Sequence, residues 1–341
     1  MIAQALSKSS PSSAPGPDEV PYLVWKQVNQ YNPEILLALL ALLVEVGYHP
    51  PLLKHANGVV LDKPGKPSYD SPSSFRIMVL LKTISKILER VLTVRLESFA
   101  RNAGLLYPNQ CGSFSGLSAT DAVATLAHEV GTLQRPRWKV SSLFLDIKAG
   151  FDNVNAVKLR SMLLRRKAPS YMVDWISSFF VERTCTLVFQ GTPNTLAAVS
   201  VGTPQGSLIS PLLFLIYVSP LDLKVPKGLM ISYVDDFSVT VASESHRTNI
   251  RRLQGIFQTL SRKGRTLNVE FSIPKTELIH WRTPSQRHSP PSQAPIIPSG
   301  LIFDPAQVVR WLGFWPTPPL NSQQHFSHRL ALAKASFSFV K

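Results

Sequence analysis

Two adjacent aspartates, Asp235 and Asp236, lie between runs of β-branched and aromatic residues in the segment 231–241. This pattern predicts two strands joined by a tight turn, with both carboxylates at the tip of the hairpin. Two unit charges ~4 Å apart repel each other by about 4 kcal/mol at an effective dielectric constant near 20. A fold that concentrates acid in this way usually has a divalent cation to neutralise it. An isolated pair is more often a solvated turn, so the interpretation depends on the rest of the chain.

A second acidic segment supports a metal site. Residues 142–146 form an apolar strand pattern that ends in Asp146, and Asp152 follows shortly after. An aspartate at a strand end, beside the hairpin tip, would build a site for two cations ~3.5–4 Å apart. In such sites the cations bind an attacking 3′-oxygen and a triphosphate leaving group. Magnesium suits this donor set, because it takes carboxylates, substrate phosphates and water. In isolation, Asp146 would more often be a turn residue or a helix cap.

A third segment, residues 202–214, is typical of a flexible turn that opens a buried helix. Gly206 would let the backbone approach a ligand closely, and Gln205 could hydrogen-bond a sugar or a base. The alternative is a simple Pro-Gly turn capped by Ser207.

The chain is strongly basic around these acidic segments. It carries 36 Lys and Arg against 21 Asp and Glu, a formal net charge of +15. The excess is concentrated in residues 157–167, which hold no acid, and in residues 247–287. A basic surface around a small acidic centre suits a polyanionic partner whose chemistry needs metal ions. Charge alone also fits a basic protein that binds no nucleic acid.

Composition also bounds the cellular setting. The two cysteines, Cys111 and Cys185, exclude a disulfide framework and a multi-cysteine zinc site, which favours a reducing compartment. The apolar run 34–46 is too short to span a bilayer and predicts a buried helix, so we expect no membrane segment. Residues 1–17 are rich in Ser, Pro and Ala and predict a disordered leader without a secretory signal. We expect an intracellular protein of the nucleus or cytoplasm. The leader lacks the arginines of a mitochondrial transit peptide and supports that destination only weakly.

Helical and extended patterns alternate along the chain, which predicts an α+β fold. Apolar residues recurring at helical spacing predict an amphipathic helix with a core stripe made of Leu80, Ile84, Ile87, Val91 and Val94. The other elements predicted are a helical stretch over 18–47, a strand over 140–147, a hairpin over 186–201, and helices over 157–166, 171–182, 208–218 and 246–262.

Taken in order, these segments resemble a reverse transcriptase of the non-LTR (LINE-like) retrotransposon type. The residues from Asp146 to Asp152 resemble that family's motif A, 204–207 its motif B and 233–236 its motif C. Further segments agree in order and extend the resemblance over roughly residues 16–315: 16–18, 61–66, 109–112 with 120–121, 275–277 and 310–313.

The resemblance implies an RNA-directed DNA polymerase with a right-hand fold of fingers, palm and partial thumb. The palm would be an antiparallel sheet backed by helices, and the partners would be an RNA template, a DNA primer and dNTPs. The implied segments are a leader (1–17), fingers with N-terminal helices (18–139), palm (140–281), a Pro/Ser-rich loop (282–299) and the primer grip with the start of a truncated thumb (300–341).

The resemblance also implies a role for individual residues. Two Mg²⁺ ions, with Mn²⁺ as an alternative, would be held by Asp146, Asp235 and Asp236. Lys275 would be the general acid for the departing pyrophosphate. Asp152 would order its loop rather than bind metal. The residues that would contact the incoming nucleotide are Phe151 as the steric gate under the sugar, Gln205 with Gly206, and the cations Lys63 and Arg76 on the triphosphate.

The sequence departs from the family pattern at several points. Ile77 follows Arg76 where proline is usual, Gly150 replaces an alanine, and residues 208–209 differ within motif B. Residues 113–118 lack two arginines common in the family, whose loss would weaken nucleic-acid binding and flatten its salt dependence by about two units of slope.

These departures leave alternatives to an active polymerase. One is a catalytically impaired, nucleic-acid-binding remnant, and another is an organellar intron-encoded reverse transcriptase with maturase activity. The chain begins at the polymerase signature and ends near the start of the thumb. We therefore expect a fragment or drifting copy of a retrotransposon.

Overall fold

The computed structural model describes residues 1–113, 116–189, 191–199, 201–282, 305–320 and 322–338. Apart from Arg282, the predicted Pro/Ser-rich loop lies outside these residues. The helices are α1 (Ile2–Ser7), α2 (Tyr22–Tyr31), α3 (Pro33–Glu45), α4 (Thr83–Asn102), α5 (Ala119–Leu133), α6 (Ala156–Arg165), α7 (Ser170–Phe180), α8 (Ser210–Val218), α9 (His246–Thr266) and α10 (Gln323–Ser338). The strands are β1 (His55–Asp62), β2 (Phe75–Leu80), β3 (Gln110–Cys111), β4 (Lys139–Lys148), β5 (Arg183–Phe189), β6 (Thr192–Val199), β7 (Gly228–Tyr233), β8 (Asp236–Ser243), β9 (Glu270–Phe271) and β10 (Glu277–Trp281).

The chain divides into two compact units that are discontinuous in sequence. Unit 1 comprises residues 1–106 and 149–217, and unit 2 comprises residues 107–148 and 218–341. The fingers, palm and thumb boundaries remain predictions, and the units are cut at other points. Among the described residues, no helix has the length and apolar character needed to cross a bilayer.

Unit 1 contains a four-stranded sheet in the order β2-β1-β5-β6. Strand β1 pairs antiparallel with β2 and parallel with β5, and β5 and β6 form the predicted hairpin. Helix α4 supplies much of the core through Ile87, Leu88 and Leu92, each at most 1% exposed. The predicted stripe was wrong at its ends, because Leu80 closes β2 and Val94 is exposed.

The structure differs from two further expectations for unit 1. The leader predicted to be disordered contains α1, whose Ala5 and Leu6 are buried and which packs against α4. The prediction rested on the Ser and Pro content of the whole leader, which does not show that its first residues are a short run of good helix formers. The apolar run 34–46 does form a helix, α3, but it is buried along one face only. That face is Leu36, Leu40 and Val44, at the i, i+4 spacing that places residues on the same side of a helix.

Unit 2 is built on a sheet in the order β10-β4-β8-β7-β3, with β9 paired to the end of β4. Strands β4, β8 and β7 are antiparallel neighbours in continuous register. Because side chains alternate along a strand, Val140, Phe144 and Asp146 share one face. Val140 and Phe144 belong to an apolar cluster with residues of α5. Helix α9 packs on the opposite face, where Asn249 donates to the Ser141 hydroxyl at 3.1 Å.

A buried carboxyl in unit 2 makes stability depend on pH. Asp222 accepts a hydrogen bond from Ser232 Oγ at 3.1 Å, while its Oδ2 is buried without a hydrogen-bond partner. Burial raises the pKa of Asp222 from 3.8 to about 7, and the Ser232 hydrogen bond and the Lys263 charge oppose this only in part. Between these values the folded state holds a proton that the unfolded state has lost, so stability falls as pH rises.

We therefore expect Asp222→Asn, which cannot ionise, to gain stability relative to the parent as pH rises from 4 to 8. The gain should be about 2–4 kcal/mol, at 1.36 kcal/mol per pKa unit. Urea unfolding of both chains at pH 4, 6 and 8 measures it. A difference that stays constant over this range would show that Asp222 ionises normally.

Candidate active site

The hairpin of β7 and β8 carries the adjacent aspartates at its tip, as the sequence predicts. Tyr233 and Asp236 pair across it and enclose a two-residue turn of Val234 and Asp235. Val234 has φ 56°, a left-handed conformation that is costly for a β-branched residue. The Val234 amide donates to the Cys111 carbonyl at 3.3 Å, and the Ile147 amide donates to the Asp235 carbonyl at 3.0 Å. These neighbouring strands hold the turn in its strained shape and fix the direction of the carboxylates.

Strand β4 brings the third carboxylate to the same place. Asp146 and Asp236 are direct partners in the β4–β8 register, so both side chains lie on one face of the sheet. Burial raises the pKa of Asp236 to about 7, with further increases from the charges of Asp235 and Asp146. The three carboxylates therefore interact electrostatically and form a concentrated negative centre.

Lys275 contacts this group of carboxylates. Its Nζ donates to both carboxylate oxygens of Asp146, at 3.0 and 2.9 Å. Most of the lysine side chain is exposed, with 66% of its surface accessible against 17% for Asp146. The ammonium is thus placed where it can leave Asp146 without breaking any buried packing.

The donor atoms of this centre suit a hard divalent cation. In the described part of the chain, no three or more His, Cys, Asp or Glu side chains are arranged as a ready-made metal cage. Magnesium is commonly held by one or two carboxylates together with substrate phosphates and water, so a complete protein cage is not needed. The Asp146–Asp236 pair, with Asp235 beside it, supplies carboxylates of this kind and fits such an ion.

In unit 1, the ring of Phe151 stacks on Phe214 of α8, with centroids 5.0 Å apart and an interplanar angle of 28°. The Thr203 amide donates to the Phe151 carbonyl at 2.8 Å. Phe151 is therefore held from two sides, by α8 and by the turn that precedes α8.

The turn at Gln205 and Gly206 is held against strand β2. The Val79 amide donates to the Gln205 carbonyl at 2.7 Å. A Cβ on Gly206 would lie 2.4 Å from the Val79 carbonyl oxygen, and its φ is +128°, so only glycine fits. The sequence predicted close approach to a ligand at Gly206, whereas the structure shows close approach to β2.

The two predicted triphosphate cations lie on and beside the sheet of unit 1. Arg76 is an exposed residue of β2 that pairs in register with Leu61. Lys63 follows β1, and its amide donates to the Ser74 carbonyl at 2.9 Å. Burial raises the pKa of Asp152, and the charge of Lys63 opposes that increase, so these two side chains are close in space.

A residue that the sequence analysis missed supports the Gln205 turn. Glu89 of α4 is fully buried and accepts hydrogen bonds from Ser85 Oγ at 3.0 Å, Ser207 Oγ at 2.6 Å and the Leu208 amide at 2.8 Å. The predicted apolar stripe of this helix leaves Glu89 out. Its position directly after Leu88 and two residues before Val91 was the available signal that it lies at the edge of the apolar stripe.

Comparison with known proteins agrees with this geometry. The family described as "Reverse transcriptase (RNA-dependent DNA polymerase)" matches residues 61–315 of the chain. A probable RNA-directed DNA polymerase from transposon X-element of Drosophila melanogaster is 25% identical over 95% of this chain and 35% of its own length. The RNA-directed DNA polymerase from mobile element jockey of the same organism is 25% identical over 80% of this chain and 30% of its length.

A third relative is the Pol polyprotein of a type-1 retrotransposable element R1 from Bradysia coprophila. It is 24% identical over 95% of this chain and 32% of its own length. The chain therefore spans about a third of the length of the curated relatives it matches.

A solved structure, apo telomerase from Candida tropicalis truncated from its C-terminal domain, has a similar fold. The TM-score is 0.53 at 11% identity, over 88% of this chain and 60% of that one. This likeness supports an α+β fold of the right-hand polymerase class. With the family match over residues 61–315, it follows that the chain belongs to the reverse transcriptase family and carries a polymerase domain of the type found in non-LTR retrotransposons.

Proposed function

We propose that the chain catalyses RNA-directed DNA synthesis, with Asp146, Asp235 and Asp236 holding two Mg²⁺ ions. The pairing of Asp146 with Asp236 in neighbouring strands, next to Asp235 in the turn, carries the proposal. Reverse transcriptases generally use divalent cations, and Mn²⁺ has the same preference for carboxylate oxygen. When bound, such ions activate the attacking 3′-oxygen and stabilise the charge on the leaving pyrophosphate.

Lys275 has a role in two stages in this proposal. Its ammonium neutralises Asp146 before substrate binds, which limits repulsion among the three carboxylates. Where Asp146 holds a cation, the Lys275 ammonium would no longer be needed to neutralise that carboxylate. Lys275 becomes available to donate a proton to the oxygen that leaves with pyrophosphate.

The residues of unit 1 would select and hold the nucleotide. Phe151, braced by Phe214, presents a rigid ring that would exclude a 2′-hydroxyl and so favour dNTPs. Gln205 and Gly206 would contact the incoming nucleotide, and Lys63 and Arg76 would neutralise its triphosphate. Both cations are suited to that task because phosphate oxygens accept charge-assisted hydrogen bonds from Lys and Arg.

The partners in this proposal are an RNA template, a DNA primer and dNTPs. The formal net charge of +15 on the chain is suited to both nucleic acids. An enzyme that copies RNA into DNA in this way would act in the nucleus or cytoplasm. The leader, which contains no arginine, gives little support to the mitochondrion.

A second candidate function is binding of nucleic acid without catalysis. Residues 113–118 favour it, because they lack the two arginines common in the family and so weaken the grip on nucleic acid.

Primer extension separates the two functions. Purified protein is given a DNA primer on an RNA template, dNTPs and Mg²⁺, beside a chain carrying Asp235→Ala and Asp236→Ala. We expect extension that stops with a chelator, is absent in the double variant and strongly prefers dNTPs over rNTPs. Retained binding of primer–template without any extension would instead establish the binding remnant.

A further inference from the structure

Helix α9 of unit 2 contains an exposed row of arginines that the proposed chemistry does not use. The row, called here the arginine stripe, consists of Arg247, Arg251, Arg262 and Arg265, all of them exposed. At ~100° per residue these four fall within an arc of about 60°, on the side opposite the buried residues of the helix. At 1.5 Å per residue the stripe is about 27 Å long.

The stripe lies on the far side of the sheet from the carboxylates. Asp146 and Asp236 share the sheet face whose other end packs against α5. Helix α9 covers the other face through residues such as Leu253 and Phe257. The arginines point away from that face, so the sheet and the helix both separate them from the catalytic centre. A polyanion on the stripe is therefore not the primer–template end that lies at Asp236.

Side-chain contacts within the fold do not account for these four residues. Two other basic residues of α9 do have structural partners, since Arg252 donates to the Ala242 carbonyl at 2.7 Å and Lys263 to the Pro220 carbonyl at 2.6 Å. Across the described ranges, no carboxylate forms an ion pair with the stripe. The first turn of α9 has no acidic residue, so Arg247 faces the positive end of the helix dipole. Its i+4 spacing from Arg251 adds repulsion between like charges. Both effects weaken the N-terminal end of the helix, and a bound polyanion would relieve them, whereas Arg265 lies in the last turn, where the dipole favours a cation.

The chemistry of the stripe fits a phosphate backbone better than an acidic protein. All four residues are arginine, whose guanidinium can bind a phosphate through two hydrogen bonds. The centre of the exposed face holds Gly255 and Gln258, and a Cβ on Gly255 would meet nothing within 4 Å. Protein interfaces are anchored by aromatic and apolar residues, which this face lacks. A face without aromatic platforms would hold a strand by its phosphates, independently of base sequence.

We propose that the arginine stripe binds the unpaired part of the RNA template through its phosphates. The choice of RNA rests on the proposed function, in which the template is the long polyanion that must stay bound while only a short stretch occupies the catalytic centre. A length of about 27 Å spans several phosphates of a single strand, so each of the four arginines can contact a different one. The stripe thus acts as a second contact that retains the template during synthesis.

The test compares the parent with a variant in which all four stripe arginines are changed to Gln. Three substrates share one primer duplex and differ in the unpaired template: about 5 nucleotides of RNA, about 30 of RNA, or about 30 of DNA. We expect the long RNA to bind the parent at least tenfold more tightly than the short one near 0.1 M salt, and the Gln variant to lose most of that gain. The slope of log affinity against log salt should fall by about three units, at ~0.7 per contact with a single strand.

Two matched controls separate lost charge from lost folding. A variant with all four arginines changed to Lys keeps the charge and should keep most of the gain. Two half-variants carry either Arg247→Gln with Arg251→Gln or Arg262→Gln with Arg265→Gln. In each of them the salt slope should fall by about half as much as in the variant with all four changes. Extension on the short-overhang substrate should stay within twofold of the parent in every variant.

The outcomes are distinct. An equal gain from long RNA in the parent and in the Gln variant overturns the proposal. A gain from the DNA extension as large as that from RNA, and lost in the same variant, overturns the assignment to the RNA template and makes the stripe a general contact for single-stranded nucleic acid. Failure of the parent to extend any primer, while the arginine-dependent gain from RNA persists, would reject the proposed polymerase activity and leave the stripe as an RNA-binding surface.

Discussion

Asp236→Asn is expected to lower the rate of primer extension by about 1,000-fold or more, while leaving the fold intact or making it more stable. Loss of one carboxylate from a site of three weakens cation binding where charge develops, and a 1,000-fold decrease corresponds to about 4 kcal/mol of transition-state stabilisation. In the absence of added metal, the same change removes a buried ionisable carboxyl and its repulsion with Asp235 and Asp146. The free energy of unfolding should therefore rise, by roughly 1 kcal/mol.

The measurements are single-turnover extension with saturating Mg²⁺ and urea unfolding without metal. Glu244→Gln is the matched control, because Glu244 is an exposed acid that directly follows β8. It should change extension by less than twofold. If Asp236→Asn extended primers at more than a tenth of the parental rate, Asp236 would not be a metal ligand. If it lost activity through unfolding, the urea transition would reveal that.

Glu89→Ala should have the largest effect on stability, with a decrease of about 3 kcal/mol or more in the free energy of unfolding. Two buried hydroxyls, Ser85 Oγ and Ser207 Oγ, and the partly buried Leu208 amide would lose their acceptor. Each buried group left without a partner costs about 1–3 kcal/mol. Burial raises the pKa of Glu89, and the three hydrogen bonds with the Lys86 charge oppose this only in part. The hydrogen bonds of the Glu89 carboxyl therefore offset part of the cost of its desolvation.

A second effect of Glu89→Ala should appear in catalysis. Because Ser207 and Leu208 directly follow the turn at Gln205, its loosening should raise KM for dNTPs more than it lowers kcat. Glu89→Gln is the control, since its amide oxygen can accept from Ser207 and Leu208 while Ser85 reverses its role. We expect Gln to restore KM and most of the stability. Equal KM values for the Ala and Gln variants would show that Glu89 supports the core but does not position the turn.

Much of the fold could be predicted because its signals are local. An apolar strand pattern identified β4, the hairpin predicted over 186–201 corresponds to β5 and β6, and helical spacing identified α9 to within a few residues. Long apolar runs were less informative, because hydrophobicity alone does not specify which face is covered. Helix α3 shows this, since Ile35 and Leu37 are exposed although the run was predicted to be buried.

The predicted site residues also divide into those that a local sequence pattern specifies and those that it does not. The sequence identified Asp235 and Asp236 at a hairpin tip, and the structure places them there. The assignment of Lys63 and Arg76 to the triphosphate comes from resemblance alone and stays a prediction, as do the fragment or drifting copy and the sugar gate. The local signal for Glu89 was only its place at the edge of an apolar stripe, because two of its three donors, Ser207 and Leu208, come from a distant segment.

By itself, the sequence determined the family, the α+β class and the positions of the carboxylates in their strand and turn, because strand alternation and turn chemistry act over a few residues. Only the tertiary structure decided that Asp146 faces Asp236, that Lys275 contacts Asp146 from 129 residues away, and that Gly206 fits against β2. These are pairings between distant segments. They depend on strand register and on the packing of a complete core, which no short window of sequence contains.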